Sequence, residues 1–219
     1  MATTPKTIDY PTGDGKPLAE TPIHRDNLLG LIEVLRRHFA GAADVYISGN
    51  MMMYYVEGDK RRHVSPDVFV VRGIRGANDR DAYFVWEEGK GPDFVVEFTS
   101  KSTRREDLRT KFELYRDVLH VEEYFLFDPK QEYLKPSMQG FRLVGGAYEP
   151  IEPVAGRLPS VVTGLHLERD GTTIRMYDPA TGRRVPTPAE AEAESRAAAE
   201  TLRRELEELR AQHRQRNGA

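Results

Sequence analysis

The chain of 219 residues contains no cysteine and no long apolar segment. Without cysteine it has no disulfides, no thiol nucleophile and no cysteine zinc ligands, and this composition fits a reducing cytoplasm. No segment approaches the roughly 18 consecutive apolar residues that a membrane-spanning helix needs. Residues 1–16 lack the apolar stretch of a secretory signal. We therefore expect a cytoplasmic protein that does not enter a membrane.

An excess of positive charge is also missing, since the formal net charge is −3. This balance argues against a strongly basic, nonspecific nucleic-acid-binding protein, because affinity for phosphate backbones comes largely from lysine and arginine. Any nucleic-acid surface must therefore be local. Two basic clusters are candidates, although a solvated surface is the simpler interpretation of both: residues 60–63 (Lys-Arg-Arg-His), and the group Lys101, Arg104, Arg105 and Arg109.

The patterns in the first half of the chain predict a mixed sheet with helices packed on it. Residues 1–21 are rich in proline and glycine and are expected to form a flexible leader, followed by a folded domain over residues 22–180. Apolar residues at helical spacing predict a helix over residues 23–40. Residues 45–48 and 51–56 flank Gly49-Asn50 and predict a hairpin. Unbroken apolar runs at 68–71, 94–98 and 123–127 predict buried strands, with a helix between Lys101 and Leu119.

The second half predicts antiparallel hairpins and a separate helix. Residues 141–144 and 147–151 flank Gly145-Gly146, and residues 165–168 and 172–177 flank Asp170-Gly171. From Thr187 the composition shifts to Ala, Glu, Arg and Leu, so residues 187–216 are expected to form a helical tail. Its apolar residues follow the 3-4-3 spacing of a short coiled coil: Ala199, Leu202, Leu206 and Leu209. The tail is predicted either to pair with a second copy, giving a homodimer, or to remain an unpaired helix.

Three charged residues stand out by their positions in or near predicted buried elements. Asp67 opens an apolar strand, and Glu97 lies within another, where a carboxylate is costly to bury unless it is paired, protonated or bound to a cation. Lys111 lies on the following helix. Asp107 and Tyr115 share its face, because they are four residues before and after it. If the two strands are neighbours, all three charged groups can meet at one end of the sheet.

Such a cluster has two interpretations. Two carboxylates, a backbone carbonyl and waters form the hard oxygen set that Mg²⁺ or Mn²⁺ prefers. The metal would activate a water, and Lys111 would stabilise the negative charge that develops on a phosphoryl group. The alternative is a buried ion pair of Asp67, Glu97 and Lys111 that only organises the fold. Spacing alone leaves both interpretations open.

Four segments in fixed order resemble the Uma2 family of endonucleases, formerly a domain of unknown function, within the PD-(D/E)xK restriction-endonuclease-like superfamily. They are residues 65–71 (SPDVFVV), 92–103 (PDFVVEFTSKST), 107–115 (DLRTKFELY) and 123–129 (EYFLFDP). The resemblance spans residues 23–177 and implies a mixed-sheet nuclease core, Mg²⁺ or Mn²⁺ bound by Asp67 and Glu97, and a nucleic acid, DNA by preference, as substrate.

One departure concerns the lysine that the superfamily carries two residues after the acid, since Thr99 stands at that position. Lys111 is the expected replacement and Lys101 a weaker one. The first helix of the superfamily often adds a polar residue to the site, so His24 and Glu20 are candidates, although His24 is more typical of a surface or capping residue. Asp107 and Tyr115 are further candidates, for which helix stabilisation and packing are the simpler roles.

Three functions compete. A metal-dependent DNA endonuclease is the leading hypothesis. A catalytically silent nuclease-fold protein that binds a partner through its tail is the second, favoured by the acidic balance and the modest basic clusters. A glycosidase that uses Asp67 and Glu97 as its acid/base pair is the third, but it gives Lys111 no role, and only one tryptophan, Trp86, is present to stack on sugars.

Overall fold

The computed structural model describes residues 10–13, 21–77, 80–101 and 103–217, with side chains described as far as residue 213. Its helices are α1 (Pro22–His38), α2 (Val85–Glu88), α3 (Phe112–Asp117) and α4 (Pro188–Asn217), with a π-helical segment (Glu106–Lys111) directly before α3. Its strands are β1 (Val45–Ser48), β2 (Met53–Tyr54), β3 (His63–Val64), β4 (Val68–Arg72), β5 (Tyr83–Phe84), β6 (Phe94–Phe98), β7 (Glu123–Phe127), β8 (Met138–Val144), β9 (Ala147–Pro150), β10 (Leu158–Pro159), β11 (His166–Asp170), β12 (Thr173–Asp178) and β13 (Arg183–Arg184).

The central element is a six-stranded mixed sheet in the order β1-β4-β6-β7-β8-β9. Strands β6 and β7 are parallel, and every other neighbouring pair in this sheet is antiparallel. A four-stranded antiparallel sheet (β10-β11-β12-β13) and a three-stranded sheet (β3-β2-β5) accompany it. The expected mixed α/β fold, with helices, additional antiparallel hairpins and a C-terminal helix, is therefore confirmed.

The unbroken apolar runs arise because β4, β6 and β7 are covered on both faces. Alternate residues of these strands face two different apolar clusters. One cluster contains Val68, Val96 and Phe125 together with the buried face of α1 and strands β11 and β12. The other contains Phe69, Val95 and Tyr124 together with Tyr115 of α3. Such two-sided burial removes the polar alternation that a half-exposed strand would show.

Helix α1 begins where its sequence provides both a cap and a helix-compatible proline. The Thr21 side chain accepts a hydrogen bond from the backbone N–H of His24 at 3.2 Å, and Pro22 occupies the first helical position. Asn27 fixes the helix against β12, because its amide donates to the carbonyl of Thr172 and accepts from the N–H of Ile174. These contacts set the position of the first turn of α1, which carries His24.

The predicted hairpin around Gly49-Asn50 is wrong. Strand β1 pairs with β4, whereas β2 belongs to the three-stranded sheet. At this point the chain crosses the start of β4, and the N–H of Asn50 donates to the carbonyl of Pro66 at 2.8 Å. A Cβ atom at Gly49 would overlap the carbonyl oxygen of Asp67. The glycine is therefore needed for a close approach of two backbones, a role that resembles a turn signal in sequence.

The other two predicted hairpins are confirmed. Strands β8 and β9 pair up to Val144 opposite Ala147, on either side of the two glycines. Strands β11 and β12 pair up to Asp170 opposite Thr173. Both turns contain glycines with positive φ, among them Gly145 at 57° and Gly171 at 62°, a conformation that glycine adopts without strain.

Part of the segment predicted as a leader contacts the folded chain. The ring of Tyr10 lies 4.8 Å from that of Tyr54 and 5.2 Å from that of Phe84. The hydroxyl of Tyr54 donates to the carbonyl of Pro11 at 2.6 Å, and the hydroxyl of Tyr10 accepts from the N–H of Gly58. Residues 1–9 and 14–20 of the predicted leader, which include the site candidate Glu20, lie outside the described residues.

Internal contacts divide the chain into two units, residues 1–185 and residues 186–219. Helix α4 belongs to the second unit, and its apolar residues Leu202, Leu206 and Leu209 are 65%, 47% and 62% exposed. None of the described helices combines the length and the apolar character that crossing a bilayer requires.

Candidate active site

Strand register brings Asp67 and Glu97 together. Strands β4 and β6 are antiparallel, with Val68 opposite Val96. Asp67 comes directly before Val68 and Glu97 directly after Val96, so the two residues meet at the same end of the sheet. One carboxylate oxygen of Asp67 accepts the backbone N–H of Phe98 at 2.7 Å, which fixes its orientation. The two strands are therefore neighbours, which is the condition under which the sequence predicted a cluster of Asp67, Glu97 and Lys111.

The side chain of Glu97 is only 1% exposed and has two donors. Its Oε2 accepts from the ammonium of Lys111 at 2.8 Å, and its Oε1 accepts from the hydroxyl of Tyr115 at 2.6 Å. The ammonium of Lys111 also lies 3.2 Å from Oδ1 of Asp107, whose side chain is 2% exposed. The helix face predicted from sequence spacing therefore points at the buried glutamate.

A local capping arrangement and a π-helical segment present this face. The side chains of Ser100 and Thr103 each accept the backbone N–H of the other, which satisfies donors at the start of the helical segment. The segment Glu106–Lys111 is π-helical and continues directly into α3. The wider π-turn carries Asp107 and Lys111, and such turns occur frequently at functional sites.

The electrostatics of the cluster are dominated by burial and by an excess of acid. Burial raises the pKa of the Glu97 carboxyl well above its ordinary value, an effect that Lys111 opposes. The carboxylates of Asp67 and Asp107 raise the same pKa further. Burial alone would lower the pKa of the Lys111 ammonium, but the three neighbouring carboxylates raise it instead. One ammonium thus faces three carboxyl groups, and a cation bound among them would stabilise the ionised carboxylates that burial disfavours.

His24 belongs to the same cluster. Its Nε2 lies 3.0 Å from Oδ1 of Asp67, and its ring meets that of Phe98 edge-on at 5.8 Å. The interpretation of His24 as a surface or capping residue is therefore wrong, since Thr21 provides the cap and the histidine faces inward. Asp107 and Tyr115 also do more than stabilise a helix or pack, because both contact the charged pair.

Lys101, the weaker candidate for the site lysine, lies outside the buried cluster that contains Lys111. It lies exposed in the turn after β6 and lines a cavity beside the cluster. It forms no ion pair within the described part of the chain. Lys111 rather than Lys101 therefore contacts Glu97, in agreement with the preference drawn from sequence.

The donor set suits a hard divalent cation. Mg²⁺ commonly binds through one or two carboxylates and keeps several of its waters, and Asp67 and Glu97 offer two carboxylates with surplus negative charge around them. Within the described residues, no group of three or more His, Cys, Asp or Glu side chains is arranged to hold a metal ion, so waters or phosphate oxygens would have to complete the coordination around Asp67 and Glu97. A cation here would compete with Lys111 for an oxygen of Glu97.

A second buried carboxylate, overlooked in the sequence, lies at the opposite end of β7. Glu123 is fully buried and accepts from the guanidinium of Arg142, the hydroxyl of Ser160 and the backbone N–H of Val161. Both carboxylate oxygens of Glu123 accept hydrogen bonds from fixed donors, so neither is left for a ligand. These bonds join β7 to β8 and to the segment that follows β10. The signal that selected Glu97, an acid in an apolar run, applies equally to Glu123.

The mixed sheet and the Asp/Glu/Lys cluster at one of its ends place the protein in the restriction-endonuclease-like class. The model of the Uma2 family, described as "Putative restriction endonuclease", matches residues 4–170. The chain therefore belongs to the Uma2 family.

A crystal structure titled as a putative nuclease belonging to DUF820, from Anabaena variabilis ATCC 29413, is similar at 13% sequence identity with a TM-score of 0.49. The similarity covers 68% of this chain and 78% of that one. No match was found among the curated proteins.

Proposed function

We propose that the protein is a divalent-metal-dependent endonuclease that hydrolyses phosphodiester bonds in DNA. The observation that carries this proposal is the convergence of Asp67, Glu97 and Lys111 at one end of the central sheet, with Lys111 at 2.8 Å from Glu97. Membership of a family described as restriction endonucleases supports the same reaction class.

Asp67 and Glu97 would hold Mg²⁺ or Mn²⁺. When bound, such an ion polarises the phosphoryl oxygens and lowers the pKa of a water. The hydrolysis forms a bond from the water oxygen to phosphorus and breaks one ester P–O bond, whose oxygen leaves with a proton. The ammonium of Lys111 stabilises the negative charge that grows on the phosphoryl group. Tyr115 and Asp107 position Glu97 and Lys111, and His24 positions Asp67.

The surface next to the cluster supports an anionic polymer as substrate. Lys101, Arg104, Arg105 and Arg109 are all exposed on the segment that leads from β6 to Lys111. Lysine and arginine side chains supply the sequence-independent part of DNA affinity, by releasing counterions from the phosphate backbone. A local basic segment therefore compensates for the overall net charge of −3.

The test is cleavage of linear and supercoiled DNA with Mg²⁺, with Mn²⁺ and with EDTA. We expect Glu97→Gln and Lys111→Met each to reduce the rate by at least about 100-fold, comparable with the loss of a charge-stabilising group in other hydrolases. Glu113→Gln is the matched control, because this glutamate is on α3 with a side chain 56% exposed. Thermal melting establishes that each variant is folded. Equal cleavage by wild type and Glu97→Gln would refute the assignment.

A catalytically silent binding protein is the second candidate. One observation favours it: both oxygens of Glu97 already accept hydrogen bonds, as in a purely structural ion pair. Titration of Mn²⁺ into wild type, Glu97→Gln and Lys111→Met separates the two functions. Binding that is lost in Glu97→Gln and kept in Lys111→Met supports the endonuclease. Absence of both Mn²⁺ binding and cleavage in wild type supports the binding protein.

A further inference from the structure

A cavity of about 420 Å³ lies directly beside the acidic cluster. Two residues belong to both. His24 lines the cavity, and its Nε2 is 3.0 Å from Asp67. Phe98 also lines it, and its backbone N–H donates to the same aspartate. A group held in this cavity would therefore be the immediate neighbour of a phosphate that reacts at Asp67 and Glu97.

The walls of the cavity are chiefly apolar and partly aromatic. Ile23, Phe98, Pro129 and Tyr133 line it, and its volume is within the range of pockets that hold small organic groups. The hydroxyl of Tyr133 forms a hydrogen bond with that of Thr99, which restrains the ring. Such walls suit a flat heteroaromatic group, because aromatic side chains stack on nucleobases regardless of their sequence.

Charged groups at the cavity suit the phosphates on either side of such a base. Lys101 and Lys130 line it, are exposed, and form no ion pair with any described residue. Of the two acids among the described lining residues, Asp128 is buried and accepts the backbone N–H groups of Tyr133 and Leu134. Glu132, the other acid among them, is exposed to solvent. A nucleotide unit combines the flat ring and the anionic groups that these walls and rims accommodate.

We propose that this cavity binds the base of the nucleotide adjacent to the scissile phosphate. The inference rests on the proposed function and specifies its substrate class. A base within a duplex must leave its stack and its partner before it can enter such a pocket. The preferred substrate is therefore a single strand or an unpaired end of a nucleic acid, and an intact duplex is the poorer one.

The experiment measures binding by fluorescence anisotropy in EDTA, so that no cleavage occurs. The probes are a labelled oligodeoxythymidylate, an oligouridylate of equal length and a blunt duplex of equal length. Wild type should bind a single strand more tightly than the duplex. Tyr133→Leu removes the ring and should weaken single-strand binding by about 5- to 150-fold, the range for loss of one base–aromatic stack. Tyr133→Phe keeps the ring and should bind as wild type does.

The two single-stranded probes distinguish DNA from RNA as the source of the bound base. Tighter binding of the oligodeoxythymidylate assigns the pocket to DNA, and tighter binding of the oligouridylate assigns it to RNA. Lys101→Ala should weaken both and should reduce the slope of affinity against salt concentration. Equal affinity of wild type for duplex and single strand, or of Tyr133→Leu and wild type for the single strand, would overturn the proposal.

Failure of this proposal is distinguishable from failure of the proposed function. If wild type cleaves, Glu97→Gln does not, and Tyr133→Leu still binds normally, the endonuclease stands and the base pocket is wrong. If single-strand binding depends on Tyr133 but no metal supports cleavage, the pocket stands as a binding site and the endonuclease is wrong. Thermal melting of Tyr133→Leu ensures that lost binding reflects the ring and not the fold.

Discussion

Glu97 and Glu123 are both buried in neighbouring strands, yet their partners differ in kind. Glu123 meets a guanidinium, a hydroxyl and backbone N–H groups, all of which are fixed donors. Glu97 meets one ammonium and one phenol, and two more carboxylates lie close enough to raise its pKa. A group satisfied by fixed donors stabilises a structure, whereas unlike and repelling neighbours are typical of sites that bind or transform a ligand.

Tyr115 offers a direct test of how Glu97 is positioned. Tyr115→Phe removes the hydroxyl that donates to Glu97 and keeps the buried ring. We expect metal affinity or cleavage to fall by about 10- to 100-fold, as for other partners that orient a metal-binding side chain. The free energy of unfolding should fall by about 1–3 kcal/mol, because a buried oxygen of Glu97 loses its donor. Chemical denaturation and Mn²⁺ titration give the two quantities.

Tyr148→Phe is the matched control. Its hydroxyl donates to the carbonyl of Val121 at 2.9 Å, and it packs in the same aromatic group as Tyr124 without touching Glu97. It should lose a similar amount of stability and keep normal metal binding. If both variants bind Mn²⁺ as wild type does, Tyr115 has no positioning role.

Sequence spacing predicted much of this site and missed the rest for a clear reason. Lys111 and Tyr115 follow Glu97 within one strand-to-helix connection, so their approach is a local property. His24 reaches Asp67 only because α1 is docked by Asn27 onto β12, about 145 residues away in sequence. Tyr133 likewise enters through a loop after β7. Contacts of this kind depend on tertiary packing, which periodicity does not encode.

At the scale of elements, the strands that were predicted correctly are those whose composition reflects burial on both faces. Strands β4, β6 and β7 form where the apolar runs predicted them and pair within the mixed sheet. The hairpin predicted at Gly49-Asn50 is wrong. The prediction relied on a dipeptide that marks a backbone able to adopt unusual conformations, and such a backbone is not always part of a turn. A glycine is also needed where two backbones cross closely. Only the proximity of the Asp67 carbonyl in the folded chain shows that Gly49 belongs to such a crossing and not to a hairpin turn.

Gly49→Ala tests that crossing. The new methyl group would overlap the carbonyl of Asp67 and lie 2.9 Å from Cδ1 of Ile32. We expect a loss of about 1–3 kcal/mol in the free energy of unfolding, the usual cost of overpacking. Cleavage should also fall, because the start of β4 carries Asp67. Denaturation by urea and the DNA assay measure the two effects.

Gly30→Ala provides the opposite control within the same fold. Gly30 lies in the interior of α1, and a methyl group there meets no atom within 4 Å. It should stabilise the protein by about 0.5–1 kcal/mol, since alanine loses less backbone entropy in a helix than glycine does. An unfolding free energy of Gly49→Ala equal to or above that of wild type would contradict the crossing as the role of Gly49.

At the scale of the whole molecule, the tail raises the question of assembly. Leu202, Leu206 and Leu209 follow the spacing of a coiled-coil seam and are all exposed. In a parallel pair, Glu205 of one copy would face Arg210 of the other across the seam. In an antiparallel pair, the arginines that flank the seam would instead face one another: Arg196, Arg203 and Arg210. If the tail pairs with a second copy, charge therefore favours the parallel arrangement over the antiparallel one.

Leu206→Lys tests this assembly, because it places a charge at the centre of the seam, where only burial between two copies would make it costly. We expect wild type to sediment as a dimer and Leu206→Lys as a monomer, while the thermal melting of the core is unchanged. Thr201→Lys adds the same charge on an exposed position outside the seam and should remain dimeric. A wild type that sediments as a monomer would contradict the pairing. Because the seam lies in the tail and Asp67, Glu97 and Lys111 lie in the core unit, Leu206→Lys should keep the hydrolysis that Glu97→Gln should lose.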